Sequence, residues 1–163
     1  MGIRYYAYAF EAELTEFAKA DPRSFIRDDP LADAWGMPHG ARVATTNFEQ
    51  SMPKEDMLYL DKAWSSLQAL SAPAEEDDEP RPAYRMFEGR VAHTEYGWIP
   101  WTRALPPSDV VEIADDITEL HRTLERREPC DEEGRYVLDY LGKAVEFVAC
   151  AAKSNRGFAY MIG

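Results

Sequence analysis

The chain lacks most of what would betray an activity. Two cysteines in 163 residues, Cys130 and Cys150, give no metal-binding or redox spacing, so the reading expects two reduced thiols in a cytoplasmic protein. Three histidines, His39, His93 and His121, are scattered, and none has a second histidine three or four residues away to share a zinc ion. Nine dispersed glycines form no phosphate-cradling loop. Met1 to Phe10 holds no continuous apolar stretch behind a basic region, and no apolar run approaches the ~20 residues that span a bilayer. Neither a leader nor a membrane partner is therefore expected, and no cofactor or metal. Cys130 beside His121 or His93 could pair a nucleophile with a base, but no local signature supports it.

Basic charge is also scarce. Eighteen lysines and arginines face 30 acidic residues, a net charge of −12. Such a chain is repelled by phosphate backbones, which excludes nucleic acid as an expected partner and favours a basic protein. What is abundant is core material: 45% hydrophobic residues, with 4 Trp, 9 Tyr and 7 Phe. That suffices for one domain of ordinary size spanning 1–163 without staples.

Ile3 to Phe10 alternates Ile3, Tyr5, Ala7 and Ala9 against Arg4, Tyr6, Tyr8 and Phe10, and predicts a strand covered on both faces. A helix is expected over Glu11 to Ala20 with Leu14, Phe17 and Ala18 inward. Asp21-Pro22 and Asp29-Pro30 each pair a capping carboxylate with a proline, predicting helical turns over Pro22 to Arg27 and Pro30 to Trp35, the second closed by Gly36. A short strand is expected over Arg42 to Thr46. Met57, Leu60, Trp64 and Leu67 recur at helical steps and predict one helix from Lys54 to Leu70. Residues 72–82 hold Glu75-Glu76-Asp77-Asp78-Glu79 between prolines and read as an acidic mobile linker.

Ala83 to Leu105 reads as β structure, and Pro106-Pro107 opens a helix capped by Ser108 or Asp109 with Ile113, Ile117, Leu120 and Leu124 inward. A last helix from Glu133 to Ser154 carries Leu138, Leu141, Val145, Val148 and Ala152, and Phe158 to Ile162 closes as a strand. Strands at both ends without βα alternation predict an α+β fold, one mixed or antiparallel sheet packed against several helices.

Several of these elements, in this order, resemble the YfbM-like family of bacterial domains. They are the Met1-Gly2 opening with its aromatic strand, Asp61-Lys62-Ala63-Trp64 followed by Leu67-Gln68-Ala69-Leu70, and Leu105-Pro106-Pro107 before Asp109-Val110-Val111. Phe158 to Ile162 with Gly163 completes the series. The resemblance covers nearly the whole chain and implies an α+β fold and a cytoplasmic location. It implies no activity, because the family has none assigned.

Two surfaces stand out. Asp61 and Lys62 lie beside Trp64, where they either form a small polar binding site or flank a core anchor. Arg81 to Arg103 is locally basic, with four arginines against Glu88 and Glu95, interleaved with Tyr84, Phe87, Tyr96, Trp98 and Trp101. Arg and aromatic residues carry binding energy at protein interfaces and can stack single-stranded nucleic acid. The same residues also suit a sheet whose aromatics face the core and whose arginines neutralise nearby acids. Asp61, Lys62, Tyr84, Arg85, Trp98 and Trp101 form the candidate binding surface. The favoured function is a non-enzymatic binding or regulatory protein with a protein partner, and the rival is a small hydrolase or small-molecule-binding enzyme with a site assembled near Asp61, Lys62 and Tyr84.

Overall fold

The computed structural model describes residues 2–40, 50–75 and 77–163. Its strands are β1 (Tyr5–Glu11), β2 (Met57–Asp61), β3 (Ala92–Thr94), β4 (Gly97–Ile99), β5 (Trp101–Leu105) and β6 (Arg156–Ile162). Its α-helices are α1 (Thr15–Ala20), α2 (Pro30–Trp35), α3 (Ala63–Ser71), α4 (Pro107–Arg126) and α5 (Glu132–Lys153), with 3-10 turns at Ala12–Leu14, Pro22–Phe25 and Pro82–Met86. Among the described residues the main sheet runs β2-β1-β6-β5, every pair antiparallel, and β3 and β4 form a separate hairpin. The fold is α+β, with strands at both ends of the chain.

The alternation in β1 explains its central place. Tyr5 and Ala7 enter one core with Phe158, Tyr160 and the apolar faces of α4 and α5. Tyr6, Tyr8 and Phe10 enter a second core with Ala18, Ile26 and Ala34 on the other side of the sheet. A strand apolar on both faces gains burial only when both are covered, and here both are. Tyr5 stacks on Tyr160 with ring centroids 5.3 Å apart, joining β1 and β6 beyond their backbone ladder. Gly157 in β6 lets backbones close up, since a Cβ there would lie 2.5 Å from the Leu105 carbonyl and the Phe10 ring.

The expected helix from Lys54 to Leu70 is instead β2, a one-residue break and α3. Met57, Leu58 and Leu60 are all buried, and Met57 belongs to the second core while Leu58 and Leu60 belong to the first. Four consecutive apolar residues, Met57 to Leu60, serve a strand with two covered faces, and pairing with β1 outweighs helical spacing. The α1 register also differs from expectation. The preceding 3-10 turn rotates the helix, so Ala18 is buried while Leu14 and Phe17 are exposed.

Ala83 begins within a 3-10 turn rather than a strand, with Pro82 in its first turn. In α4 neither Ser108 nor Asp109 caps; the N-cap position is Pro106, without a side-chain bond. Asp29 caps α2 by accepting from the Ala32 N–H, and Gly36 ends it at φ +63° as the sequence predicts, whereas Asp21 makes no such bond. In α5 the inward face is Val137, Leu141, Ala144, Phe147, Val148 and Ala151, so Leu141 and Val148 of the predicted stripe are buried while Leu138, Val145 and Ala152 lie half-buried one step aside. Residues 72–81 carry no helix or strand where described, and the strand expected over Arg42 to Thr46 lies outside the described residues. No helix among the described residues is long and apolar enough to cross a membrane.

Candidate functional site

Asp61 ends β2 with a left-handed φ of +46°, a conformation uncommon outside glycine and tolerated by Asp and Asn. The turn aims its carboxylate at three donors. Arg4 Nε lies 3.0 Å from Oδ1, Tyr59 Oη 2.9 Å from the same oxygen, and Tyr136 Oη 2.8 Å from Oδ2. Burial pushes the Asp61 pKa up, but the hydrogen bonds from Tyr136, Tyr59 and Arg4, with the Arg4 charge, outweigh it and hold the pKa below the usual carboxylate value. Burial lifts the neighbouring Tyr6 and Tyr140 phenols to about 12, so they stay protonated at neutral pH. Three residues after Asp61, Trp64 Nε1 donates to the Ile3 carbonyl at 3.2 Å. The Lys62 stem crosses Gly2, where a Cβ would meet its Cε at 2.9 Å. The Asp-Lys-x-Trp element therefore fastens the start of the chain to β2 and α5, with all donors to Asp61 supplied internally.

Three of the four arginines of the basic segment are ion-paired, and Arg90 is exposed. Arg81 grips Asp116 through Nε and Nη2 while the Ala83 N–H donates to the same carboxylate at 2.8 Å. Burial raises the Asp116 pKa, and the Arg81 hydrogen bonds and charge with the Ala83 N–H bring it down below the ordinary value. Arg85 pairs with Glu112 at 2.6 Å and lies 3.8 Å from Asp109, and Arg103 pairs with Glu88. Tyr84 sits half-buried in the 3-10 turn, and Arg85 offers its carbonyl to the Tyr160 hydroxyl.

The aromatics beyond Gly89 behave differently. Every residue of β3 and β4 is exposed, and Tyr96, Trp98, Ile99 and Trp101 are 93, 39, 60 and 38% exposed. Trp101 lies over Gly89, whose φ of +142° and missing Cβ leave room for the indole. Register links Trp101 to Ile162, Ile162 to Tyr5 and Tyr5 to Asp61 in one row across the sheet. Three strand spacings of ~4.8 Å put Trp101 and Asp61 about 14 Å apart at opposite edges of one sheet end. The candidate residues thus separate into a clamp at Asp61 and Lys62, an ion-paired turn at Tyr84 and Arg85, and an exposed patch at Trp98 and Trp101.

Two features escaped the sequence reading. Asp33 in α2 is only 5% exposed, takes the Tyr8 hydroxyl at 3.0 Å, and stands 3.3 Å from His39 Nε2 and 3.8 Å from Arg27 Nε. Tyr8 on the polar-looking face of β1 was the one available signal. The second is a cavity of about 460 Å³ between α3, α5 and the turn joining α4 to α5, lined by Ala69, Leu70, Leu124, Val137 and Leu138. Its signal is α3 itself, nine residues without one charged side chain. Among the described residues no group of three His, Cys, Asp or Glu side chains could hold a metal ion. No family model, curated protein or solved structure matches the chain.

Proposed function

We propose that the chain is a non-enzymatic protein-binding module whose partner docks on the β3–β4 hairpin. The observation that carries this is the exposure of Tyr96, Trp98 and Ile99 on the hairpin, with Trp101 just beyond it in β5. A lone two-stranded hairpin is marginal in water, and large apolar side chains exposed on one are costly to leave wet unless something covers them. Trp and Tyr are also the side chains that most often anchor interfaces. The net charge of −12 selects a partner whose surface is basic around an apolar centre, and it works against nucleic acid.

The test is affinity capture with wild type and with a Trp98→Ala/Ile99→Asp variant of unchanged melting temperature. A basic protein retained by wild type, released by salt and absent from the variant is the expected result. Identical captured sets from both proteins would sink the proposal.

The same reading assigns the chain to the YfbM-like domains and to the cytoplasm. The order of the elements around Asp61-Lys62-Ala63-Trp64 supports the first, and two thiols, Cys130 exposed and Cys150 partly so, support the second. Asp33 against His39 favours a second reading, a small hydrolase, since a buried carboxylate can orient an imidazole as a base. Ester hydrolysis by wild type and not by His39→Gln would select that reading instead.

A further inference from the structure

The cavity beside α3 is built unlike the rest of the surface. The other long helices, α4 and α5, carry charges on their exposed faces, but α3 shows Ser66, Ala69 and Leu70 outward with no charge at all. Leu70 is 40% exposed at the edge of the cavity, and Leu124, Val137 and Leu138 supply the remaining apolar lining. A volume of about 460 Å³ falls in the ~300–1,000 Å³ range of ligand clefts, but the exposed Leu70 leaves this one open at the side. An open apolar trough beside a helix suits a side-chain row better than an enclosed small molecule.

Charge around the trough selects what fills it. Asp131 and Glu133 line it, opposed by Arg127 alone. Between residues 125 and 133 five acidic side chains stand against two arginines. The first turn of α5 would attract an anion, but Asp131, Glu132 and Glu133 already occupy it, with Asp131 Oδ1 accepting from the Gly134 N–H at 2.7 Å. An anionic occupant is therefore opposed, and a cationic one is drawn in.

We propose that this trough docks an amphipathic helix of a basic partner, its leucine-type side chains entering between α3 and α5 and its lysines or arginines meeting Asp131 and Glu133. Helix-in-groove recognition needs an apolar slot for side chains spaced three and four apart, with charges set at the rim. The inference stands independently of the hairpin, and the two can fail separately.

The probe is a fluorescein-labelled 18-residue leucine/lysine peptide of helical periodicity, titrated with the full chain and read by anisotropy at 50 and 300 mM salt. Comparison peptides replace lysine by glutamate, or place proline at two central positions while keeping the charge. Expected is saturable binding of the lysine peptide, at least tenfold weaker for either comparison peptide. Leu70→Asp and Leu138→Asp, checked by circular dichroism for an unchanged fold, should each weaken binding about tenfold. Glu133→Lys should weaken it several-fold, most at low salt, and Ile99→Asp on the hairpin should bind as wild type does. Equal binding of the proline peptide, tighter binding of the glutamate peptide, or indifference to Leu70→Asp would overturn the proposal. So would loss of binding in Ile99→Asp alone.

Discussion

Substitution of Asp61 separates three contributions that its geometry combines. Arg4 contributes most, because its side chain is 16% exposed and its bond to the carboxylate is charge-assisted, worth ~1.5–3 kcal/mol where water is excluded. Tyr59 adds about 1 kcal/mol, and the exposed Tyr136 adds less because water replaces its partner readily. The left-handed backbone adds a conformational cost of ~1–2 kcal/mol to alanine, which glycine escapes. Asp61→Asn, which tolerates that φ and still accepts a bond, should lose about 1–2 kcal/mol. Asp61→Gly should lose about 2–3 kcal/mol, and Asp61→Ala about 3–4 kcal/mol.

Urea unfolding followed by tryptophan fluorescence gives these differences directly, provided the slope with denaturant is unchanged. The pH dependence is a second readout. Because the folded pKa of Asp61 is depressed, its contribution is complete above the unfolded value near ~3.9 and disappears as pH falls through the folded pKa. The gap between wild type and Asp61→Asn should be flat between pH 5 and 7, about 1–2 kcal/mol, and narrow below about pH 4. Glycine and alanine variants of equal stability, or a gap that widens in acid, would refute this account of the clamp.

Two further perturbations test the packing. Gly157→Ala puts a methyl against the Leu105 carbonyl and the Phe10 ring in an interior strand, and should cost about 2–3 kcal/mol, lowering the melting temperature by roughly 4–12 °C. Asp116→Asn deprives Arg81 and the Ala83 N–H of a charged acceptor, and should cost about 1–2 kcal/mol while speeding amide hydrogen exchange across 82–88 more than across β1 or β6.

The sequence made visible what local pattern decides. Two-faced alternation in β1, the Asp29-Pro30 start and Gly36 stop of α2, and Ile113, Ile117 and Leu120 of α4 all emerge in the structure as read. What it hid depends on distant partners. Met57 to Leu60 satisfies a helical template almost as well as a strand, and only β1 alongside decides between them. Arg81 and Arg85 look like part of a basic surface until Asp116 and Glu112 arrive from α4, while Arg103 is paired by Glu88 of its own segment. Trp98 and Trp101 suit a sheet core as well as an interface when read as sequence, and only the fold leaves them 39 and 38% exposed, whereas Asp33 near His39 required the chain to bend through α2. Of the candidate residues, Asp61 and Lys62 are neighbours in both views, and the others are separated by strand order that no local spacing encodes.

The place of β6 has a consequence for how the molecule comes into being. It follows every other described strand in the sequence, yet it lies between β1 and β5, which share no backbone ladder of their own. Arg4 and Gly163 exchange backbone hydrogen bonds of 3.0 and 2.9 Å across that seam. During vectorial synthesis the aromatic edge of β1 must therefore wait, unpaired, through some 150 residues of later chain. The wait is long in both entropy and time, since non-local pairing is what slows folding. A nascent chain of this kind exposes an adhesive strand edge until β6 arrives, the interval in which unpaired edges are most prone to stray pairing.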